Sequence, residues 1–418
     1  MNRTRVFLVT VLSAAALFVV GTLAWRTISG EGGGSGLAAT RPEIIRIRVV
    51  AAVPVEQWVS AAVEEFKADG RSTEGTTIEV EVIPMDGLVA LGKWERNSFA
   101  ALDREVLPGE LHRDEHEALQ DFPTVWIADG RYLVEIANAS FRGQFGQDRF
   151  LSDGQYRVRP LAKTLLVWGL FRSRGVPLLE NLGPISWSTV HKAAGAPTGW
   201  KELGGDPAWG NFKLAVSASG GSVSGSAAII AAAGEFFEKA EVTVEDVSDP
   251  SFAIWLTELL EAATDLSGGG TSTAESAAIF GYTAGDGGQF LESELLQNME
   301  GIQTRWQEPI VLHYPSVTTW FDFPFAIWVG PETSALQKNA ALSFQEFLLS
   351  EAQQQRALEF GLRPVDPGVA VDAEAGSLFE RWQRLGVQKE VLAVEEMRPA
   401  NRDVLSALAR WRDLNEGQ

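Results

Sequence analysis

Ile44-Ile45-Arg46-Ile47-Arg48-Val49-Val50 reads as a β-strand, and the two segments after it decide the fold. Glu56 to Ala68 comes next, with Val59, Val63 and Phe66 at helical spacing. Thr76 to Ile83 returns to a strand rich in β-branched residues, with Glu79 and Glu81 alternating. The same alternation continues outward from this unit. Further strands are expected at Pro123 to Ile127, Ala162 to Leu170, Phe212 to Val216, Glu308 to Tyr314 and Pro324 to Val329. Helices are expected at Ala227 to Lys239, Ser251 to Asp265, Gly288 to Met299, Ser334 to Leu349 and Glu351 to Phe360. Strand and helix in alternation predict an α/β protein with parallel sheets covered by helices. No internal repeat is visible.

On the other side of Ile44 the sequence carries an address. Arg3 and Arg5 precede an uncharged run from Val6 to Trp25, which as a helix spans about 30 Å, the thickness of bilayer hydrocarbon. Basic residues ahead of such a run place the N-terminus inside and the bulk of the chain outside. A cleaved signal peptide is the alternative, since Thr22-Leu23-Ala24 offers a small-x-small site. Residues 1–28 are therefore read as anchor or signal, and the Gly/Ser-rich residues 29–43 as a tether. The expected location is the cell membrane, crossed once, with the rest extracytoplasmic.

The 418 residues are 45% hydrophobic and 22% charged, the balance of a globular protein with room for two or three domains. Lys plus Arg is 35 and Asp plus Glu 55, so the net charge is −20, which argues against nucleic-acid binding. Cysteine is absent, which excludes Cys nucleophiles, Cys-ligated zinc, disulfides and lipid attachment through an N-terminal Cys.

Certain segments, taken in order, are distinctive. They are Pro123-Thr124-Val125-Trp126, Gly199-Trp200-Lys201-Glu202-Leu203, Trp209 to Lys213, Tyr314-Pro315, Thr319-Trp320, Pro324 to Glu332, Phe344 to Ser350, Gln353-Gln354-Gln355, Gly361-Leu362-Arg363-Pro364 and Pro399-Ala400-Asn401-Arg402. Over residues 44 to 413 this order resembles bacterial extracellular solute-binding proteins of the periplasmic-binding type II fold. More narrowly it is similar to the branch associated with von Willebrand factor A domains. The resemblance implies two lobes, 44–162 with 309–418 and 163–308, joined by strands at Lys163 to Trp168 and Pro309 to Tyr314. A ligand would lie in the cleft between them, and hinge motion would close it. The expected function is capture of a small polar solute (an anion or a sugar), for ABC-type transport through a separate membrane permease. A non-transport module of the same fold, binding a protein partner such as a von Willebrand factor A protein, is the alternative. The chain departs from relatives at Ala128 to Arg131, at Ser219 to Gly225, at Thr318 and at Phe323, so ligand identity does not carry over.

The candidate ligand residues are Pro54 and Val55 at the first strand-to-helix turn, and Asp129, Gly130 and Arg131 after the third strand. From the second lobe come Ser222, Ser224, Gly225, Ser226, Ser272 and Thr273. The Gly/Ser loop ahead of Ser226 opens a helix, whose free amides suit an anion, although an ordinary N-cap would use the same serines. Glu292 stands where relatives also carry an acid. Tyr314 and Trp320 lie near the return crossing, and Trp126 and Trp320 sit at strand ends where rings could stack on a sugar. No catalytic residue, metal or cofactor is expected. His112-Arg113-Asp114-Glu115-His116 matches an inverted zinc-peptidase spacing but sits in a charged, solvated context. Gly220-Gly221-Ser222-Val223-Ser224 lacks the last glycine of a nucleophile elbow, leaving His191 and His313 without a partner motif. Asp265-Leu266-Ser267-Gly268-Gly269 falls one serine short of a metal-adhesion motif, and no Gly-Lys-Ser/Thr phosphate loop occurs.

Overall fold

In β1 (Ile44–Ala51) the side chains of Ile45, Ile47 and Val49 are buried on alternate positions, and the last two residues are buried as well. A strand that is apolar on one face and enclosed at its end belongs inside a layered sheet. The computed structural model describes residues 42–73, 75–99, 121–216, 221–264, 272–372, 376–391 and 394–415. The expected membrane segment, the tether up to residue 41, His112, His116, Ser219 and the Asp265 motif lie outside them. From Glu43 onward the chain forms one compact unit.

The remaining strands are β2 (Ser72–Thr73), β3 (Thr76–Pro84), β4 (Val125–Ile127), β5 (Arg159–Pro160), β6 (Ala162–Phe171), β7 (Leu214–Ala215), β8 (Gly287–Leu291), β9 (Ile310–His313), β10 (Val317–Thr318), β11 (Trp320–Phe321), β12 (Pro324–Ile327), β13 (Arg363–Pro364) and β14 (Glu395–Glu396). The longer helices are α1 (Glu56–Ala68), α2 (Gly87–Glu95), α3 (Arg131–Phe145), α4 (Arg172–Leu182), α5 (Trp187–Ala194), α6 (Val223–Phe236), α7 (Pro250–Leu260), α8 (Thr273–Phe280), α9 (Glu292–Trp306), α10 (Ala335–Leu348), α11 (Glu351–Ala357) and α12 (Arg402–Asn415).

One sheet has the order β2-β3-β1-β4-β12-β5. Its centre is parallel, β1 pairing with β3 from Ile44↔Thr77 to Ala51↔Pro84 and with β4 on its other side. The other sheet has the order β11-β6-β8-β7, with β9 and β13 also on β6. Ten-residue β6 is its spine. It pairs in turn with β13 at Ala162 and Lys163, β11 at Thr164 and Leu165, β8 from Leu166 to Leu170, and β9 from Trp168 to Phe171.

Two expectations change here. The sheets are mixed, since β12 and every partner of β6 run antiparallel. These strands return from distant parts of the chain, so their direction is not set by a local crossover. Second, the helix expected from Gly288 begins only at Glu292, because Gly287–Leu291 is strand β8. Its two glycines explain the choice. A side chain at Gly288 would run into the Ala215 carbonyl, and one at Gly287 into Leu170, so this backbone is pressed between β7 and β6.

Candidate ligand cleft

At the C-terminal end of β4 the chain turns through Ala128-Asp129-Gly130 into α3. Gly130 is the N-cap and has no side chain to satisfy the first turn. A distant carboxylate does so instead: Arg131 N–H donates to Asp322 Oδ1 at 2.9 Å. Asp322 reaches it because the next residue, Phe323, takes φ +38°, left-handed backbone that a bulky residue adopts only under constraint. Phe323 is fully buried, and that packing holds the bend.

Beside this turn lies a cavity of about 340 Å³, lined by Gly130, Arg131, Tyr132, Lys163, Trp320, Asp322, Glu396 and Pro399. Its floor is the start of β6 and the short β11, where Trp320 pairs with Leu165. The lining pairs two cationic with two anionic side chains and adds two aromatic rings, a combination suited to a small polar solute. Burial raises the Asp322 carboxyl, while the Arg131 amide and the charges of Arg131 and Lys163 pull it back down.

A second feature lies at the start of α6. Ser222 is the N-cap, its Oγ accepting from Gly225 N–H at 3.1 Å and lying 3.3 Å from Ser224 Oγ. The Val223 N–H, one of the orphan amides expected to face an anion, instead donates to Asp86 Oδ2 at 3.1 Å. Asp86 also caps its own helix, accepting from Leu88 N–H at 2.8 Å. One carboxylate therefore ties the β3–α2 turn of the first sheet to the first turn of α6. The seam is tight: a side chain at Gly87 would come within 2.9 Å of Val223 and collide with Asp129 Oδ2. Asp129 is 3% exposed, and its Oδ2 has no hydrogen-bond partner. Burial, then the Asp86 charge, push its carboxyl well above the usual range. Burial beside Glu275 raises Glu294, in the first turn of α9, to about 7.

The structure gathers some of the expected ligand residues and disperses others. Gly130, Arg131 and Trp320 line the cavity, and Asp129, Ser222, Ser224, Gly225 and the buried Ser226 lie at or just behind the seam. Pro54 and Val55 form a 3-10 turn ahead of α1, Val55 fully buried. Ser272 caps α8, accepting from Glu275 N–H at 3.1 Å, and Thr273 is that helix's first residue. Three residues prove to be built into the framework. Trp126 is 0% exposed, its ring 6.2 Å from Trp94 and 5.8 Å from Phe150, so it fills the core of the first sheet and cannot stack on a solute. Glu292 is wholly buried and clasped by Arg363 through Nε and Nη2 at 2.6 and 2.7 Å, and it also accepts from the Tyr314 hydroxyl. Its two oxygens and the Tyr314 hydroxyl are thereby used.

Asp86, Tyr132, Lys163, Asp322 and Glu294 were missed. Only Asp86 left a local signal, an Asp before Gly at a strand end, which is an N-cap pattern. The Ser222 hydroxyl is occupied as a cap. His191 stacks on Trp255 at 4.8 Å and bonds Glu258 at 3.0 Å, while His313 lies on β9 opposite Trp168. Among the described residues no three carboxylates or imidazoles come close enough together to hold a metal ion, and no helix is long and apolar enough to cross a membrane.

The sequence matches no protein-family model and no curated protein. Solved structures do match. Maltose-bound T. maritima MalE3 is similar at 16% identity over 89% of this chain and 99% of that one, with a TM-score of 0.53. A chitin oligosaccharide binding protein is similar at 11% identity over 90% and 100%, with a TM-score of 0.50. The sulfate-binding protein SubI from Mycobacterium tuberculosis H37Rv is similar at 15% identity over 89% and 99%, with a TM-score of 0.48. At such identities the likeness is one of fold: the chain has the mixed α/β architecture of the two-lobed solute-binding proteins.

Proposed function

We propose that this protein is a membrane-anchored, extracytoplasmic solute-binding protein that captures a small polar solute and delivers it to an ABC-type permease. The lobes are 44–162 with 309–418 and 163–308, and β6 and β9 are the crossings. The observation that carries the reading is the cavity at the start of β6, where Arg131, Lys163, Tyr132 and Trp320 converge beside the seam between the sheets. The shared fold supports it, and the uncharged run from Val6 to Trp25 supports the anchor.

The test is a melting-temperature screen of the full chain against anions, sugars, amino acids and amines. A solute at about 100 times its Kd adds about 2.7 kcal/mol to the native state, a shift that is readily measured. Trp320→Ala and Lys163→Ala should each weaken the solute found by tenfold or more, with ligand-free stability within about 1 kcal/mol of the parent. If no class of solute moves the melting temperature, the reading fails, and the fold would then serve as a module for a protein partner, one carrying a von Willebrand factor A domain being the first to try.

A further inference from the structure

On the first sheet, opposite charges that face each other across strands join. Arg46 and Glu79 are cross-strand partners and meet at 3.3 Å, and Arg48 and Glu81 meet at 2.9 Å. The cavity at the start of β6 departs from this. There β11 pairs Trp320 with Leu165 and Phe321 with Thr164, and the next step of this antiparallel register sets Asp322 opposite Lys163. Arg131 and Glu396 line the same space, so two cationic and two anionic side chains surround about 340 Å³. Among the described residues no ion pair joins any of these four to another charge.

Backbone, not an opposite charge, holds each of them in place. Arg131 begins α3, and its N–H donates to Asp322 Oδ1 at 2.9 Å, which fixes Asp322 and leaves Oδ2 outside that bond. Lys163 projects from β6 between Ala162 and Thr164, both buried. Glu396 stands in β14 between two bonded neighbours: Glu395 N–H donates to the Ser316 carbonyl at 2.8 Å, and Met397 N–H to the Thr318 carbonyl at 2.7 Å. Met397 is 2% exposed and packed against Gly234, so strand alternation turns Glu396 the other way, to the cavity. Charges of both signs, held apart in one space, remain available to a solute. A solute with only a negative charge would meet Asp322 and Glu396, and one with only a positive charge would meet Arg131 and Lys163; either juxtaposition is unfavourable.

We infer that the solute is a zwitterion of the amino-acid class, its carboxylate held between Arg131 and Lys163, its ammonium facing Glu396 and Asp322, and its side chain against the Trp320 ring. This rests on the solute-binding reading and narrows its small polar solute to one that carries both charges. The Arg131 guanidinium and the Lys163 ammonium both donate to a carboxylate, and a solute ammonium has N–H donors for both acids. The first amide of α3 is already bonded to Asp322, so side chains carry the recognition. The indole of Trp320 gives an apolar side chain a flat surface to cover.

The full chain is titrated in a calorimeter with L-leucine, L-phenylalanine and L-glutamine as zwitterionic probes. Isocaproate and hydrocinnamate repeat the first two without the amine, isoamylamine and phenethylamine without the carboxylate, and maltose and sulfate stand for other solute classes. At least one amino acid should bind, with its single-charge analogues weaker by about tenfold or more. Lys163→Gln should weaken the amino acid by about tenfold or more and leave the amine analogue unchanged or tighter; Glu396→Gln should weaken it as much and leave the acid analogue unchanged or tighter. Both side chains are exposed, so both variants should melt, ligand-free, close to the parent. An acid or amine analogue that binds as tightly as the amino acid, or maltose or sulfate binding where no amino acid does, would overturn the zwitterion while the solute-binding function stands. An amino acid whose affinity survives either substitution would overturn its placement in this cavity. No response to any probe would overturn both this assignment and the solute-binding reading.

Discussion

Replacing Arg363 with Met should cost about 3–5 kcal/mol, because it strips a buried carboxylate of its counter-charge. Glu292 is 0% exposed and the Arg363 side chain 7%. The guanidinium also donates to the Gln388 and Lys389 carbonyls at 2.6 and 2.8 Å, so one side chain joins β13, the first turn of α9 and the segment after residue 386. After the substitution only the Tyr314 hydroxyl remains for Glu292. Surface pairs set the contrast: Arg46 and Glu79, 61% and 45% exposed, are worth about 0–1 kcal/mol. At about 2.1 cal/mol/K per residue, a unit of this size unfolds with an entropy near about 0.8 kcal/mol/K, so the melting temperature should fall by about 4–6 °C. Urea unfolding tracked by the fluorescence of the 14 Trp residues reads the same loss as a lower midpoint. Arg363→Met combined with Glu292→Leu should recover much of it, since replacing a whole buried pair is far cheaper than breaking it. A loss under about 1 kcal/mol for Arg363→Met would refute the reasoning. A stable Glu292→Gln that no longer binds solute would return Glu292 to the ligand site.

Two further outcomes are expected of the same structure. Gly288→Ala should fail to accumulate as folded protein, because the new methyl group has nowhere to go but into the Ala215 carbonyl; circular dichroism of the expressed chain shows whether β8 tolerates it. Stability of the ligand-free protein should decline as pH rises from about 4.5 to about 7, by at most about 3 kcal/mol, because Glu294 binds its proton more tightly folded than unfolded. Above about pH 7 its contribution is flat, below about 4.5 both states are protonated, and the gap between melting temperatures at about pH 5 and about pH 8 should narrow in Glu294→Gln.

The first unit of the fold is legible in the sequence almost to the residue. Glu56–Ala68 is helical as read, and β1 and β3 each end one residue beyond the expected strand, because these segments are long and strongly periodic. Gly288 to Met299 misled because Phe290, Leu291, Leu295 and Leu296 fit a helix as well as a strand leading into one, and the deciding contact with Ala215 is remote in sequence. Helix α4 went unread because Gly175 and Pro177 interrupt it. The cleft was legible only in part. Trp126 was expected at a strand end and lies in the middle of β4, and which face its ring takes depends on Trp94 and Phe150, neither of which leaves a mark in a linear pattern. Arg363 pairs with an acid 71 residues away, a contact that no local pattern announces.

The charges at the cleft obey one rule. A helix N-terminus attracts negative charge, and the expectation from the Gly/Ser loop was that a solute would supply it. Here the chain supplies its own, Asp322 at α3 and Asp86 at α6, each from a part of the chain distant in sequence. An anionic solute would have to displace a tethered carboxylate whose effective concentration is high because the fold holds it in place.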